Sequence, residues 1–283
     1  MFNVEEIVSA IGGRILIGDN LTGVYGVSTD TRKISSGDLF IALKGENFDG
    51  NLFLKEAEQK GAKALIASKD YRSKEEFEIP IIYVDDCLKA LGDLAKFHRL
   101  KFELPVVCVT GSNGKTSTKE MLFSILSQNN KTLKTEGNLN NLIGLPMQLL
   151  NITKEHEKAV FEIGMNRFGE IDRLAEMAVP KVGVITNIAR AHLESLHTLE
   201  SVRDAKGEII NRISENGFMV FSGDDDYESF YKQKSEERGL QVQTFGFSDH
   251  NSLFFEDICF PYDNGTKFSL FYHSEKKEAW IPQ

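Results

Sequence analysis

Cysteine is scarce in this chain, and the cysteines that are present lie far apart. Cys87, Cys108 and Cys259 are the three in a sequence of 283 residues, and no two of them form a CxxC pair. An odd number of distant cysteines argues against a disulfide framework or a zinc site, and it is typical of reduced thiols in a cytoplasm. Cys108 lies inside an apolar run, so we interpret it as a core residue.

Long apolar runs are missing as well. No window approaches the roughly 18 apolar residues that a membrane-spanning helix requires. The first segment, MFNVEEIVSAIGG, repeats apolar residues at helical spacing, and Glu5 and Glu6 stand where a signal peptide would carry positive charge. We therefore expect a cytoplasmic protein that has no membrane span.

Positive charge is in the minority, with 33 lysines and arginines, 42 aspartates and glutamates, and a formal net charge of -9. An acidic excess disfavours nucleic acid as a partner, because phosphate backbones bind basic surfaces. A small phosphorylated molecule needs only a local positive pocket, so that class of ligand stays open. The composition, 41% hydrophobic and 27% charged, is ordinary for a folded protein, and the length suggests about two domains.

The predicted elements divide the chain into two parts. Residues 1–84 mix short strands with one helix, whereas strands and helices alternate from residue 104 onward, after a connecting helix at 86–101. We predict an α/β protein in which a small amino-terminal α/β domain (residues 1–84) precedes a doubly wound, mainly parallel-sheet domain (residues 85–283). Ligands of such sheets gather at the carboxyl ends of the strands.

Strands are expected at 39–43, 62–68, 80–84, 104–110, 159–163, 182–186 and 218–221, and a terminal hairpin at 267–272 and 278–281. Besides the connecting helix, helices are expected at 52–60, 116–129, 170–178 and 199–213.

The segment TGSNGKTS at residues 110–117 is the sharpest local signal, because it follows a buried strand and opens a helix. Glycines allow backbone N–H groups to close around an anion, and the amino terminus of the helix adds a favourable dipole. Lys115 would reach the terminal phosphates, and the Thr116 hydroxyl would hold Mg²⁺. A strict GxxxxGK[ST] motif would place its first glycine at Val109, so this loop is a shorter variant. The predicted nucleotide-binding residues of the loop are Gly111, Ser112, Asn113, Gly114, Lys115, Thr116 and Ser117.

Three further polar residues are predicted to lie near the carboxyl edge of the sheet: Glu162, His192 and Lys206. The first two have a structural alternative, since a single glutamate or histidine there is often a satisfied buried group. Lys206 projects into an apolar stripe of its helix, and a buried lysine is costly unless it is paired, neutralised or modified. Its aliphatic stem could instead pack while the ammonium reaches water. The stripe comprises Val202, Ala205, Ile209, Ile210 and Ile213.

Several segments together resemble the Mur ligases. They are VSTDTR (27–32), GDLFIALKGENFDG (37–50), TGSNGKTSTKEM (110–121), TEGNLNNLIGLP (135–146), EIGMNRFGEID (162–172), ITNIARAHLE (185–194) and AKGEI (205–209). Within that family, GNLNNLIGLP favours the D-alanyl-D-alanine-adding branch over the diamino-acid-adding branch. Folylpolyglutamate synthases share the central domain but lack the STDTR domain, so they rank lower.

The resemblance implies an ATP-dependent ligase of peptidoglycan precursor synthesis. Such an enzyme joins UDP-MurNAc-tripeptide to D-Ala-D-Ala through an acyl phosphate, with ATP and two Mg²⁺ ions. Carried onto this sequence, Thr116 and Glu162 would hold one Mg²⁺. Glu162, His192 and a carbamate formed on Lys206 from CO₂ would hold the other, and we expect Lys115, Glu162, His192 and Lys206 to carry catalysis.

The resemblance also assigns substrate contacts and a domain plan. Residues 1–84 would bind the UDP-sugar peptide through Ser28, Thr29, Asp30, Thr31 and Arg32. Asn138 and Asn141 would meet the peptide, and Asn187 the nucleotide. We expect a monomer whose central P-loop domain is incomplete at its carboxyl end and whose third ligase domain is absent. A shortened module that binds nucleotide or UDP-substrate without completing ligation is the alternative. The family often has DGH where this chain has Asp49-Gly50-Asn51.

Overall fold

The structure is a computed structural model that describes residues 2–17, 21–72, 74–190, 196–259, 265–272 and 275–282. Contacts between Cα atoms divide the chain into two compact units. The first unit is Met1–Phe102 together with Leu142–Ile152, and the second is Glu103–Asn141 together with Thr153–Gln283.

The first unit is built on a five-stranded sheet and a short two-stranded pair. Its elements before residue 103 are β1 (Phe2–Asn3), α1 (Val4–Ile11), β2 (Arg14–Ile17), β3 (Gly23–Val24), β4 (Gly26–Ser28), β5 (Asp38–Ile41), α2 (Leu54–Gln59), β6 (Ala64–Ser68), β7 (Ile81–Val84) and α3 (Cys87–Arg99). The strand order is β2-β7-β6-β5-β4, with β4 to β7 parallel and β2 antiparallel at the edge.

The predicted amino-terminal helix forms, and its ends follow from local chemistry. Asn3 and Glu6 make a capping box: the Asn3 side chain accepts from the Glu6 N–H at 2.8 Å, and the Glu6 carboxylate accepts from the Asn3 N–H at 3.0 Å. Gly12 ends the helix in the left-handed region with φ 68°.

The second unit contains a nine-stranded sheet, counted over the described residues. Its first elements are β8 (Val106–Thr110), α4 (Lys115–Leu126) and β9 (Thr132–Lys134). After β9 the chain enters the first unit for α5 (Gly144–Leu149). The remaining elements are β10 (Lys158–Glu162), α6 (Glu170–Ala178), β11 (Val182–Ile185), α7 (Leu199–Gly207), β12 (Phe218–Ser222), α8 (Glu228–Glu237), β13 (Gln241–Gly246), β14 (Leu253–Cys259), β15 (Gly265–Tyr272) and β16 (Glu275–Pro282).

The strand order of this sheet is β16-β15-β14-β13-β12-β11-β8-β10-β9. Strands β8 to β14 are parallel, and β15 and β16 add an antiparallel extension. The prediction of a mainly parallel, doubly wound sheet is therefore confirmed. Because β8 lies between β10 and β11, the carboxyl ends of these three strands meet at one edge, which is where ligands of such sheets bind.

The contact-based division differs from the sequence boundary at residue 84. Helix α3 packs against α1 and α5, all within the first unit, so residues 85–102 and 142–152 group with the amino-terminal residues. The boundaries of the functional domains stay a prediction.

One predicted helix differs from the structure. The helix predicted at 199–213 is α7 followed by a 3₁₀ helix at Glu208–Arg212, although the apolar stripe is buried as predicted. Gly207 stands at the junction, and glycine is a poor helix former. On α4, Leu122 and Leu126 pack on the sheet, whereas Met121 and Ile125 are 63% and 67% exposed. Each lies one residue, or about 100°, away from the packed position.

No helix in the described ranges is long and apolar enough to cross a membrane. Short elements between the strong motifs, namely β9, α5, α8, β13 and β14, were not predicted from the sequence.

Candidate active site

The phosphate loop leaves β8 at its carboxyl end and leads directly into α4. Gly111 and Gly114 have φ of +145° and +78°, backbone conformations that residues other than glycine rarely adopt. A Cβ atom on Gly111 would also collide with the Thr186 side chain. The loop is therefore a backbone cradle at the amino terminus of a twelve-residue helix, which is the arrangement that binds a phosphate.

The loop is fastened to the segment that follows β11. The Ser112 hydroxyl donates to the Ala189 carbonyl at 3.0 Å, and the Thr186 hydroxyl donates to the Asn113 carbonyl at 2.6 Å. The Asn187 side chain bonds the Asn113 backbone twice, accepting from its N–H at 3.1 Å and donating to its carbonyl at 3.2 Å. Asn187, which the sequence assigned to the nucleotide, thus lies directly beside the phosphate loop.

Lys115 folds back over the same loop. Its ammonium donates to the Gly111 carbonyl at 2.9 Å and to the Ser112 carbonyl at 3.3 Å. These carbonyl bonds hold the charge over the loop, within reach of an anion that the backbone N–H groups would bind.

Lys206 contacts the same loop from a different helix, α7. Its side chain is 1% exposed, and its Nζ donates to the Gly111 carbonyl at 3.0 Å. Of the two alternatives that the sequence left open, the structure has the buried one, and the ammonium does not reach water. Burial, and secondarily the charge of Lys115, lowers the pKa of Lys206 to about 7. A lysine with this pKa is partly neutral and nucleophilic near neutral pH.

Glu162 ends β10 and is 3% exposed. One carboxylate oxygen accepts from the Thr116 hydroxyl at 2.8 Å, and the other accepts from the Asn140 amide at 2.7 Å. Carboxylate and hydroxyl oxygens are ligands that Mg²⁺ accepts. The pair lies at the amino terminus of α4 beside the phosphate loop, so its donor set and its place both fit a metal that also contacts phosphate.

Sequence reasoning missed Asn140, which contacts Glu162, and named Asn138 and Asn141 instead. Both of these residues are exposed, and their roles stay predictions. The run NLNN offers three asparagines, and only the loop conformation decides which one turns inward. The signal that sequence offered was general, because a buried carboxylate needs hydrogen-bond donors and each asparagine of this run carries an amide donor.

The STDTR segment forms a compact turn at the carboxyl end of β4, in the first unit. Ser28 is buried and its hydroxyl donates to the Asp30 carbonyl at 2.9 Å. Asp30 caps the 3₁₀ helix Thr31–Lys33 and pairs with Arg32, whose Nη2 lies 2.8 Å from Oδ2. The Arg32 guanidinium holds the pKa of the Asp30 carboxyl well below its usual range.

His192, the remaining predicted site residue, lies outside the described residues. Within the described ranges, no three histidine, cysteine, aspartate or glutamate side chains cluster as a metal site. The predicted ligand set with His192 therefore stays a prediction.

Two family models match this chain. Residues 109–282 match the Mur ligase middle domain, and residues 23–99 match the Mur ligase family, catalytic domain. The chain belongs to the Mur ligase family.

The curated relatives share one name, UDP-N-acetylmuramoyl-tripeptide--D-alanyl-D-alanine ligase. The Escherichia coli (strain K12) protein is 41% identical over 244 residues, covering 86% of this chain and 53% of that protein. The Bacillus subtilis (strain 168) protein is 39% identical over 250 residues, covering 88% and 53%. This chain thus spans about half the length of the curated relatives that it matches.

Solved structures agree with these relatives. MurF from Acinetobacter baumannii superposes with a TM-score of 0.89 at 33% identity, over 99% of this chain and 60% of that one. MurF ligase from Thermotoga maritima, in complex with ADP, gives a TM-score of 0.81 at 32% identity, over 94% and 60%.

Proposed function

We propose that this chain carries the substrate-binding and ATP-binding parts of a D-alanyl-D-alanine-adding ligase. The reaction would join the terminal carboxylate of UDP-MurNAc-tripeptide to the amine of D-Ala-D-Ala in the cytoplasm. ATP would first transfer its γ-phosphoryl group to the carboxylate and leave as ADP, and the amine would then displace phosphate from the acyl phosphate and lose a proton. The observation that carries the proposal is the 2.8 Å contact between the Thr116 hydroxyl and the Glu162 carboxylate beside the phosphate loop. The shared name of the relatives supports the choice of substrates.

Within this proposal, each residue of the site has a defined task. The N–H groups of the loop and the Lys115 ammonium would bind the terminal phosphates of ATP and stabilise the charge that moves during phosphoryl transfer. Thr116 and Glu162 would hold Mg²⁺, which would neutralise phosphate oxygens and orient the transferred group.

Lys206 would serve as a carbamate. Its neutral amine would attack CO₂, forming an N–C bond and losing a proton to solvent, so that an anionic ligand replaces a buried cation. The lowered pKa of about 7 supports this step, because the neutral amine is the reactive form. Glu162, His192 and the carbamate would then hold a second Mg²⁺.

The turn of residues Ser28 to Arg32 would contact the UDP-sugar, and Asn138 and Asn141 would contact the peptide. Both assignments follow the family resemblance. The Arg32 guanidinium is well placed for a phosphate, because its side chain is 83% exposed and is held in one orientation by Asp30.

The test uses this chain with UDP-MurNAc-tripeptide, D-Ala-D-Ala, ATP, Mg²⁺ and bicarbonate. Calorimetry measures ATP and UDP-tripeptide binding, and mass spectrometry detects the pentapeptide product. We expect binding of both ligands, and an ATP affinity at least about tenfold weaker in Lys115→Met, as for loss of a charge-assisted contact. A chain that binds the two ligands without forming product is a binding platform. A folded chain that binds neither ligand refutes the proposal.

A further inference from the structure

Lys119 is a buried lysine that has no role in the proposed reaction. It lies on α4 and is 1% exposed. A cation in such a place persists only where its hydrogens find acceptors. Two are present: the Thr135 carbonyl at 2.9 Å and the Glu120 carboxylate at 2.8 Å. Lys119 therefore joins the helix that follows the phosphate loop to the residue that follows β9.

Thr135 passes this contact on to Glu162. The Thr135 side chain is fully buried, and its hydroxyl oxygen accepts from the Glu162 N–H at 2.9 Å. Regular pairing of β9 with β10 ends at Lys134, opposite Val160. Beyond that point a side chain, and not a strand carbonyl, holds the Glu162 backbone on this side. The position of Thr135 therefore matters for the position of Glu162.

The contact between Lys119 and Thr135 also fixes the start of the loop that carries Asn140. Thr135 begins the segment that leads to Asn140, whose amide donates to Glu162 at 2.7 Å. Thr116, on the same helix as Lys119, donates to the other carboxylate oxygen at 2.8 Å. Glu162 is thus held by one contact from α4 and two from the 135–140 loop, and Lys119 ties α4 to that loop.

We propose that Lys119 is a positioning residue for the divalent metal. By fixing Thr135 to α4, it holds the Glu162 carboxylate where it can share a metal with Thr116. The inference rests on the proposed function, since it assumes that Glu162 binds Mg²⁺ together with the nucleotide. Contacts that orient a ligand to a metal typically change metal affinity by about 10-fold to 100-fold when they are lost.

The experiment compares variants of this chain by ATP affinity in EDTA and by the Mg²⁺ concentration at half-maximal enhancement of ATP binding. Lys119→Met keeps most of the unbranched apolar stem but donates no hydrogen bond. We expect unchanged ATP affinity in EDTA and a midpoint for Mg²⁺ raised about tenfold. Lys134→Met is the matched control. The Lys134 ammonium pairs with the same Glu120 carboxylate at 2.6 Å, but among the described hydrogen bonds it makes none to the Thr135 carbonyl.

A second pair of variants tests the link without removing the buried charge. Thr135→Val deletes the hydroxyl that Glu162 uses and should raise the Mg²⁺ midpoint, whereas Thr135→Ser should keep it near the wild-type value. The double variant of Lys119→Met and Thr135→Val should show less than the product of the two single effects, because both act through one chain of contacts. A folded Lys119→Met with a wild-type midpoint overturns the inference, and so does a Thr135→Val with that midpoint. If the wild-type chain itself shows no Mg²⁺-dependent ATP binding, the proposed function fails first.

Discussion

The side chains of Lys115 and Lys206 both donate to the carbonyl oxygen of Gly111, at 2.9 Å and 3.0 Å. Two lysines thus converge on a single peptide group of the phosphate loop. Lys115 is partly open to solvent, whereas Lys206 is buried. Burial, and secondarily the charge of Lys115, lowers the pKa of Lys206 to about 7. The carbonyl of Gly111 is therefore shared by the partly exposed ammonium of Lys115 and the buried amine of Lys206.

Removal of the Lys115 charge should change the titration of Lys206. In Lys115→Met we expect the pKa of Lys206 to rise above about 7 without reaching its ordinary value of 10.5, because burial is the larger cause and remains. The measurement is a pH titration of the Lys206 side chain by NMR, with isotope-labelled lysine and with Lys206→Met to assign the signal. Lys131→Met, on the surface beside Glu155, is the control. An unchanged titration in Lys115→Met would contradict the assigned electrostatic coupling.

Thr116→Val should weaken Mg²⁺-dependent nucleotide binding. The variant keeps the shape of the side chain but removes the hydroxyl that contacts Glu162 at 2.8 Å. We expect about a tenfold loss of ATP affinity in Mg²⁺, and a much smaller loss in EDTA. Thr118→Val makes the same chemical change two residues along the helix, about 200° away, and should have little effect. Equal losses in both variants would mean that the effect is structural.

Substitutions at Asn140 and at Asn138 should have different effects, the first on Mg²⁺ binding and the second on substrate binding. The Asn140 amide lies 2.7 Å from the Glu162 carboxylate, so Asn140→Asp places a second carboxylate there. Repulsion between the two like charges should move Glu162 away from Thr116 and change the Mg²⁺ midpoint. Asn138→Asp changes an exposed side chain and should weaken UDP-tripeptide binding instead. Titrations of each variant with Mg²⁺ and with UDP-tripeptide decide the matter. The assignment is wrong if Asn140→Asp leaves the Mg²⁺ midpoint unchanged.

Stability should fall at mildly acidic pH because of His98. This residue is buried, its Nε2 lies 2.9 Å from the Ile152 carbonyl, and its Nδ1 has no partner among the described residues. Burial lowers the pKa of His98 below 6.5, so as the pH falls the unfolded chain binds the proton first. Stability is then fully present above about pH 6.5 and is lost progressively below it.

Urea denaturation at pH 7.5, 6.5 and 5.5 measures this effect. The slope of the unfolding free energy between the two lower values should be smaller in His98→Gln than in the wild-type chain. The control is His156→Gln. Burial also lowers the pKa of His156, but that residue is only partly buried, so its replacement should change the slope less than His98→Gln does. If His98→Gln keeps the full slope, another group controls the acid sensitivity.

The sequence predicted those parts of the fold in which local chemistry and periodicity agree. The apolar run before TGSNGKTS became β8, the apolar stripe around Lys206 became the buried side of α7 and its 3₁₀ extension, and the apolar repeat at the amino terminus became α1. These features need only neighbours along the chain. The less regular elements, such as β13 and β14, carry no such local signal and were missed.

Residue order alone was enough to predict the phosphate loop, the mainly parallel sheet and the family, because glycine placement, strand and helix periodicity and motif order are local features. Three other facts required the folded chain: which asparagine of NLNN contacts Glu162, that Lys206 is buried and not at the surface, and that Lys119 reaches Thr135. Those facts depend on how separate strands and loops meet in space. Residues that are 16 to 95 positions apart come into contact there, and no local pattern encodes that distance.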